Sequence, residues 1–247
     1  MPRVSVVMPA YNAEKTLKQT VEAITPGVAD EIILVDDASQ DNTVEVAREL
    51  GLHVVVHPDN RGYGGNQKTC YQTALERGAD IIVMIHPDFQ YDPRRAGDMV
   101  QPIKDGKADA VLGSRFLTHR FYNPHMPIWR NIGNVFLSML ENLVFSTNLS
   151  EFHTGYKAYH RRVLEQIPFH LNSDDFVFDQ ETNAQIVAMG FTVTEVAVDT
   201  RYFEDASSIS FMRSVKYGLK TLETMGKFLC QRFKIKRFPM FTPKDVD

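Results

Sequence analysis

A repeated alternation in the first half of the chain most constrains its fold. Short runs rich in β-branched residues precede segments with helical apolar spacing, and each run ends in a polar cluster. Val4 to Met8 precedes Ala13 to Ala23, where Leu17, Val21 and Ile24 recur at helical intervals. The succession returns with Glu31 to Val35 and Thr43 to Leu50, His53 to Val56 and Gly65 to Arg77, and Asp80 to Ile85 and Arg94 to Lys104. Such units predict an α/β fold in which a Rossmann-like, largely parallel sheet is flanked by helices. In these sheets the ligand crevice lies outside the carboxyl ends of the strands. The polar clusters fall there: Pro9-Ala10-Tyr11-Asn12, Asp36-Asp37-Ala38-Ser39, Asn60-Arg61-Gly62 and His86-Pro87-Asp88-Phe89-Gln90.

A chain of 247 residues with 43% hydrophobic content can bury one large core and carry an appended lobe. The expected division is a catalytic domain over residues 1–210 and a C-terminal basic amphipathic helix and tail over 211–247. Within the domain, a donor half takes about 1–115 and an acceptor half about 116–210. A net charge of −4 gives no overall pull toward nucleic acid, so nucleic acid is not an expected partner. Cys70 and Cys230 are too few for a disulfide framework and read as free thiols in a reducing cytosol. The opening MPRVSVVMPAYN resembles neither a signal peptide nor a span, and Ile128 to Phe145 carries Arg130, Asn131, Asn134, Glu141 and Asn142. The expected location is cytoplasmic, with the protein either free or held peripherally at the membrane face.

Each cluster has a chemical use and a plainer one. Asp41 or Ser39 can cap the helix beginning near Thr43. Capping explains only one of the adjacent Asp36 and Asp37, and Asp37 is the better placed to accept hydrogen bonds from a base or ribose. Gly62 opens a glycine-rich helix start whose backbone N–H groups suit either a phosphate or an ordinary turn. No GxxxxGK[ST] and no GxGxxG follows the first strand, which argues against ATP hydrolysis and NAD binding. His86, Asp88 and Gln90 alternate along an extended strand end and so share a face. Hard cations such as Mg²⁺ or Mn²⁺ accept few protein oxygens when a diphosphate supplies the rest, which fits Asp88 and Gln90.

With these segments assembled, the chain resembles family 2 of the inverting glycosyltransferases, and within it the polyprenyl (dolichol) phosphate sugar synthases. VSVVMPAYN, VDDASQDNT, NRGYGG, PDFQYDP, GSR at Gly113 to Arg115 and HTGYKAY at His153 to Tyr159 stand in the family's order. The resemblance implies a GT-A fold and a nucleotide diphosphate sugar donor, GDP- or UDP-linked. It implies that Pro9, Tyr11 and Asp37 hold the nucleoside, with Asn12, Asp36 and Gly62 as further nucleotide contacts. Asp88 and Gln90 hold Mg²⁺ or Mn²⁺ on the diphosphate. Arg115 and Arg130, with Asn134 one turn on, match positions that hold the acceptor's phosphate. Three departures stand out: His86 replaces the usual first Asp of the metal motif, Ala13 replaces a glutamate, and Arg201 to Ser207 is one residue longer than the family's Arg-x-x-Gly-x-Ser segment.

Inverting transfer needs the charge on the departing nucleoside diphosphate stabilised, and a hydroxyl acceptor also needs a general base, whereas a phosphate does not. Asp179 and Glu181 are the carboxylates available on the acceptor side, with a solvated first helical turn as their plainer reading. The tail from Lys216 to Arg237 interleaves Leu219, Leu222, Phe228, Leu229 and Phe233 with basic residues, which suits either a headgroup layer or a packed helix. The expected reaction is transfer to a polyprenyl phosphate presented at the membrane surface. A hydroxyl acceptor and a non-catalytic sugar-nucleotide binding protein are the alternatives.

Overall fold

The computed structural model describes residues 1–119, 126–200 and 211–244. The Arg201 to Ser207 segment and the 210/211 domain boundary lie outside the described residues. Seven strands form one sheet: β1 (Val4–Ala10), β2 (Glu31–Asp36), β3 (His53–Val56), β4 (Ile81–Met84), β5 (Ala110–Ser114), β6 (Lys157–His160) and β7 (Val193–Ala197). Their spatial order is β3-β2-β1-β4-β6-β5-β7. All neighbouring pairs are parallel except those of β6, which runs antiparallel to both β4 and β5. The expected parallel α/β sheet is therefore present with one reversed strand, and the GT-A arrangement holds.

The helices are α1 (Glu14–Glu22), α2 (Thr43–Glu49), α3 (Gly62–Glu76), α4 (Ala96–Lys104), α5 (Phe116–His119), α6 (Ile128–Phe145), α7 (Arg161–Gln166), α8 (Phe178–Ala188) and α9 (Phe211–Arg232). Strand periodicity divides the core. Val4, Val6 and Met8 of β1 pack with Leu17 of α1, Ala47 of α2 and Met99 of α4, whereas Val7 packs on the other face with Cys70 and Tyr71 of α3. Full burial of such a side chain contributes about 1.5–3 kcal/mol, so a register slip of one residue would be prohibitive. A third apolar cluster, including Phe145 of α6, Ala184 of α8 and Met225 and Phe228 of α9, joins the C-terminal helices to the rest. Cys70 and Cys230 are both free. Among the described residues no helix is long and apolar enough to cross a membrane.

Local chemistry explains where several elements begin. Asn42 occupies the N-cap position of α2, but the accepting side chain is Asp41: Oδ1 takes the Thr43 N–H at 3.1 Å and Oδ2 takes the Glu14 N–H of α1 at 3.1 Å. One carboxylate thus serves two helix starts, as the capping reading required. α3 begins at Gly62, three residues earlier than its apolar spacing suggests; Gly62 enters it at φ +80°, which glycine tolerates, and the following glycines pack tightly.

The ends of β1, β2 and β4 share an unusual backbone. Asn12 (φ 52°), Ala38 (φ 62°) and Phe89 (φ 55°) are left-handed and none is glycine. Each conformation costs on the order of 1 kcal/mol and persists only where surrounding contacts fix it, a pattern concentrated at functional sites.

Two glycine substitutions should separate close approach from mere flexibility. A Cβ on Gly64 would sit 2.3 Å from the Ser173 carbonyl oxygen, whereas one on Gly226, within α9, meets nothing within 4 Å. Gly64→Ala should lower the urea-unfolding free energy by about 2 kcal/mol or more, and Gly226→Ala should raise it by about 0.5–1 kcal/mol.

Candidate active site

A cavity of about 2030 Å³ opens at the carboxyl ends of β1, β2 and β4. Reversal of β6 brings the start of that strand, and the His153 to Tyr156 segment before it, to the same end of the sheet. Pro9, Tyr11, Asn12 and Asp37 line one side, with His86, Asp88 and Gln90 at its centre. Gly62 and Asp179 line the wall contributed by α3 and α8, and Arg115, Arg130 and Asn134 the opposite one. Asp36 is the exception among the expected residues: it is buried beneath the turn, where Oδ2 accepts the Ser39 N–H at 3.0 Å, and it does not line the cavity. Through Oδ2 it closes the β2 turn, and the nucleotide contact expected of it falls outside the cavity lining.

Asp37 has a different main partner from the one expected. Its Oδ1 accepts the Arg61 N–H at 2.8 Å and faces His57 Nδ1 at 2.8 Å, while Oδ2 accepts the Gly62 N–H at 2.9 Å. A buried carboxylate therefore fills the N-terminal end of α3, where the helix dipole favours negative charge. The Gly62 N–H is consequently not available to a phosphate, and the Gly64 N–H donates to the Asp174 carbonyl at 2.8 Å. The glycines of NRGYGG serve the close approach of the Ser173–Asp174 segment to α3. Asp37 retains room for one further bond on Oδ2, since a carboxylate offers about four acceptor directions.

The central turn keeps Asp88 at its rim. Asp88 Oδ1 accepts the Gln90 N–H at 3.0 Å, and both side chains are half-buried. His86 stacks on Tyr63, with ring centroids 5.5 Å apart and Nε2 3.4 Å from the Tyr63 hydroxyl. A Cβ on Gly155 would come within 2.9 Å of the His86 ring, so the absence of a side chain there makes the imidazole's place. Among the described residues no cluster of three or more His, Cys, Asp or Glu side chains is placed to hold a metal. The Asp88 carboxylate and Gln90 amide suit a hard divalent ion only when substrate oxygens complete its shell, as is common for Mg²⁺.

Across the cavity the charged groups are already paired. The Arg115 Nε donates to Glu151 Oε1 at 2.8 Å, its backbone N–H to Oε2 at 2.8 Å, and Nη2 to the His153 carbonyl at 2.6 Å. Glu151 is fully buried and requires that partner, so the guanidinium expected at the acceptor phosphate is also engaged by the protein while it lines the cavity. Arg130 lies in the first turn of α6, its guanidinium 5.2 Å from the Trp129 ring centroid. Asp179 accepts the Tyr63 hydroxyl at 2.7 Å on Oδ2, and Lys157 Nζ lies 3.1 Å from Oδ1, off the line of a good hydrogen bond. Burial pushes the Lys157 ammonium below its usual range, and the neighbouring Asp179 opposes that shift.

Sequence reasoning missed how polar the interior is here. Asp179, Gln180, Glu181, Thr182, Asn183 and Gln185 of α8 are all buried, so the solvated first turn expected for Asp179 and Glu181 does not occur. His153 Nε2 lies 3.1 Å from buried Glu141 of α6, and its Nδ1 is 2.7 Å from the Tyr217 hydroxyl of α9. Gln180 Nε2 reaches the same hydroxyl at 2.6 Å. The only hint in the sequence was α8's lack of an apolar stripe.

A ligand crevice at parallel strand ends, an aspartate-bearing turn after β4 and a wall carrying Arg130 of α6 with Arg213, Lys216 and Lys220 of α9 fit a nucleotide-sugar glycosyltransferase of GT-A type. Residues 5–168 match the model of Glycosyl transferase family 2, and the chain belongs to that family. It is 28% identical to UDP-N-acetylglucosamine–dolichyl-phosphate N-acetylglucosaminyltransferase of Methanococcus voltae, over 91% of this chain and 97% of that protein. It is 26% identical to undecaprenyl-phosphate mannosyltransferase of Micrococcus luteus, over 79% and 82%. Among solved structures, glucosyl-3-phosphoglycerate synthase of Mycobacterium tuberculosis with UDP superposes with a TM-score of 0.71, covering 98% of this chain and 86% of that one at 18% identity. Related crystals of that protein hold Mn²⁺ or Mg²⁺ with UDP.

Two expectations test these assignments. Asp37→Ala should cost about 3 kcal/mol in urea unfolding without any nucleotide, because it orphans the Arg61 amide and His57 Nδ1 and leaves the Gly62 N–H only Asn60 Oδ1 at 3.0 Å. Unchanged stability with weakened nucleoside binding would make Asp37 a ligand contact instead. Burial pushes the Glu181 carboxyl up from its usual range, although Oε2 accepts the Ser173 N–H at 2.6 Å. The folded state thus holds this proton more tightly than the unfolded one, so the residue costs nothing below the ordinary carboxyl pKa and destabilises increasingly above it. Glu181→Gln should leave the unfolding midpoint unchanged near pH 4 and raise it at pH 7, read from parallel urea titrations.

Proposed function

We propose that this chain is an inverting glycosyltransferase that moves a sugar from a GDP- or UDP-linked donor to a polyprenyl phosphate. The observation that carries the reading is the state of the acceptor-side carboxylates. Of the cavity-lining carboxylates on this side, Asp179 is engaged by Tyr63 and Lys157, Asp174 by Lys68 and Asp175 by Lys216, and behind them Glu151 is engaged by Arg115 and Glu141 by His153, while Arg130, Arg213, Lys216 and Lys220 line the cavity. A hydroxyl acceptor would need a base that takes its proton. A phosphate arrives as an anion, needs no base, and is attracted by this wall. The names of the Methanococcus and Micrococcus relatives support a lipid-phosphate acceptor.

In this reading the acceptor's phosphate oxygen forms a bond to the anomeric carbon as the bond from that carbon to the donor diphosphate breaks. The electron pair leaves with the nucleoside diphosphate. Pro9, Tyr11 and Asn12 frame the nucleoside, with Asp37 offering its one remaining acceptor direction. Asp88 and Gln90 are the residues that would hold Mg²⁺ or Mn²⁺. Bound there, the cation supplies stabilisation of the leaving group's charge. Arg130 orients the acceptor phosphate, and Arg115 acts at one remove by fixing Glu151 and the His153 segment.

Asp88→Ala should abolish the metal dependence of donor binding, measured by calorimetry with Mn²⁺ and with chelator; undiminished metal dependence would remove Asp88 from the site. With labelled donor, the parent should glycosylate polyprenyl phosphate and not the matching alcohol. Arg130→Ala should lower kcat/KM for the phosphate roughly 10- to 100-fold, the range of a lost hydrogen bond to a charged group. Equal transfer to the alcohol would leave a glycosyltransferase with a hydroxyl acceptor.

A further inference from the structure

His86 stands at the centre of the cavity, yet the proposed reaction gives it no work. Alternation along a strand would put it on one face with Asp88 and Gln90, but β4 ends at Met84 and the chain turns at Pro87 and Asp88, with Phe89 at φ 55°. The imidazole lies instead nearly parallel to the Tyr63 ring, at 14° with 5.5 Å between centroids, and Tyr63 in turn meets Phe176 at 4.8 Å. All three rings line the cavity. The row is held from several sides. The Tyr63 hydroxyl donates to Asp179 at 2.7 Å, and Asp179 has buried Lys157 beside it. The imidazole edge formed by Cδ2 and Nε2 lies over Gly155, where a Cβ would come within 2.9 Å of both atoms. Phe176 follows the Ser173–Asp174 segment, which the glycines of α3 admit and whose Asp174 carbonyl accepts the Gly64 N–H.

We infer that His86, Tyr63 and Phe176 form an aromatic wall for the pyranose ring of the donor, and that His86 serves there in place of ligating the metal. The inference deepens the nucleotide-sugar reading, on which it rests for what lies beside the turn. Position argues for the sugar. Asp88 and Gln90 sit where the diphosphate would be met, and the sugar is the group that the diphosphate carries, so rings bordering this turn border the sugar. Chemistry argues in the same direction. The C–H bonds of a pyranose present an apolar, weakly positive face, which suits the negative face of an aromatic ring. Small-ligand pockets combine such apolar surface with a few polar groups that fix orientation, and an imidazole supplies both a flat ring and a hydrogen-bonding nitrogen for a sugar hydroxyl. The contacts that hold His86 come from Tyr63 on α3 and from Gly155 just before β6, whereas Asp88 Oδ1 turns to the Gln90 N–H. The residue that departs from the family's metal motif has thus been seated as part of a ring stack.

The test is calorimetry on the full chain with Mn²⁺, setting UDP against UDP-N-acetylglucosamine and GDP against GDP-mannose. In whichever pair the parent binds, His86→Ala should weaken the sugar conjugate about tenfold relative to the free diphosphate, the effect of one lost ring face. His86→Phe keeps a flat ring and removes both nitrogens; it should hold that ratio within about threefold of the parent and retain the Mn²⁺ dependence of binding. Gly155→Ala leaves His86 in the chain but takes its room, and should weaken the conjugate as His86→Ala does. Circular dichroism melts check that the variants fold, and His86→Ala with His86→Phe decides the matter if Gly155→Ala does not. Electron spin-echo spectra of Mn²⁺ bound with the diphosphate should show no coordinated nitrogen. An imidazole nitrogen on Mn²⁺, or loss of metal dependence in His86→Phe, would overturn the inference by returning His86 to the metal. Equal weakening of diphosphate and conjugate in His86→Ala would overturn it by giving the rings to the base, and a parent that binds neither conjugate overturns it together with the donor reading. If the variants behave as stated but the parent glycosylates no polyprenyl phosphate, the acceptor reading alone fails and the aromatic wall stands.

Discussion

The reversal of β6 is the constraint on which the site depends. A wholly parallel sheet would bring strand beginnings to the opposite end from the ligand crevice. By running against β4 and β5, β6 delivers the residues preceding it to the carboxyl ends of its neighbours. The His153 to Tyr156 segment arrives there, with Gly155 admitting the His86 ring and the His153 carbonyl receiving Arg115. The first residue of β6, Lys157, then lies buried beneath Asp179. Groups from the ends of β1, β2 and β4 and from the residues around β6 therefore meet at one end of a single sheet.

The second half of the cavity is built with polar groups where the first uses apolar packing. Buried ions are costly unless they are paired, and two of those here meet a partner on another element, Arg115 with Glu151 and Lys157 with Asp179, while buried Glu141 faces the His153 ring. Such pairs add little net stability compared with an apolar core of the same volume. Their effect is directional, since each fixes the relative position of the two elements it joins. Tyr217 and Gln180 extend this arrangement to α9, tying the outermost helix to the cavity wall.

The donor half was legible because its signals are local. Four apolar runs each ending in a polar cluster imply both the sheet and the location of its crevice, and Asp88 and Gln90 lie there. What the sequence left hidden are second partners, at residues whose type suits two of them. Asp37, Arg115 and Gly62 carry chemistry that fits a nucleotide or phosphate, and each is engaged by the protein through residues distant in sequence: Asp37 with His57, Arg115 with Glu151, and Gly62 with Asp37. Helix α8 was opaque for a related reason. Its buried face is polar, and periodicity reports only apolar faces. The exposed apolar stripe of α6, with Ile132, Phe136, Met139 and Leu143, was visible as composition, but whether an amphipathic helix turns that face in or out depends on which neighbours cover it.

The polar interior around α8 has an evolutionary corollary. Asn172 Nδ2 donates to Gln185 Oε1 at 2.9 Å and Gln185 Nε2 returns the bond to Asn172 Oδ1 at 2.9 Å, so each amide completes the other. A change at one member strands its partner in a medium without water, whereas a matched change at both leaves nothing stranded. Drift at these positions should therefore be correlated across descendants of the same fold, with single replacements purged and paired ones retained. The apolar face shared by β1 and α4 is under no such rule, because there volume alone must be conserved and many neighbours can absorb a change. One fold thus separates two modes of divergence, pairwise around α8 and diffuse between β1 and α4.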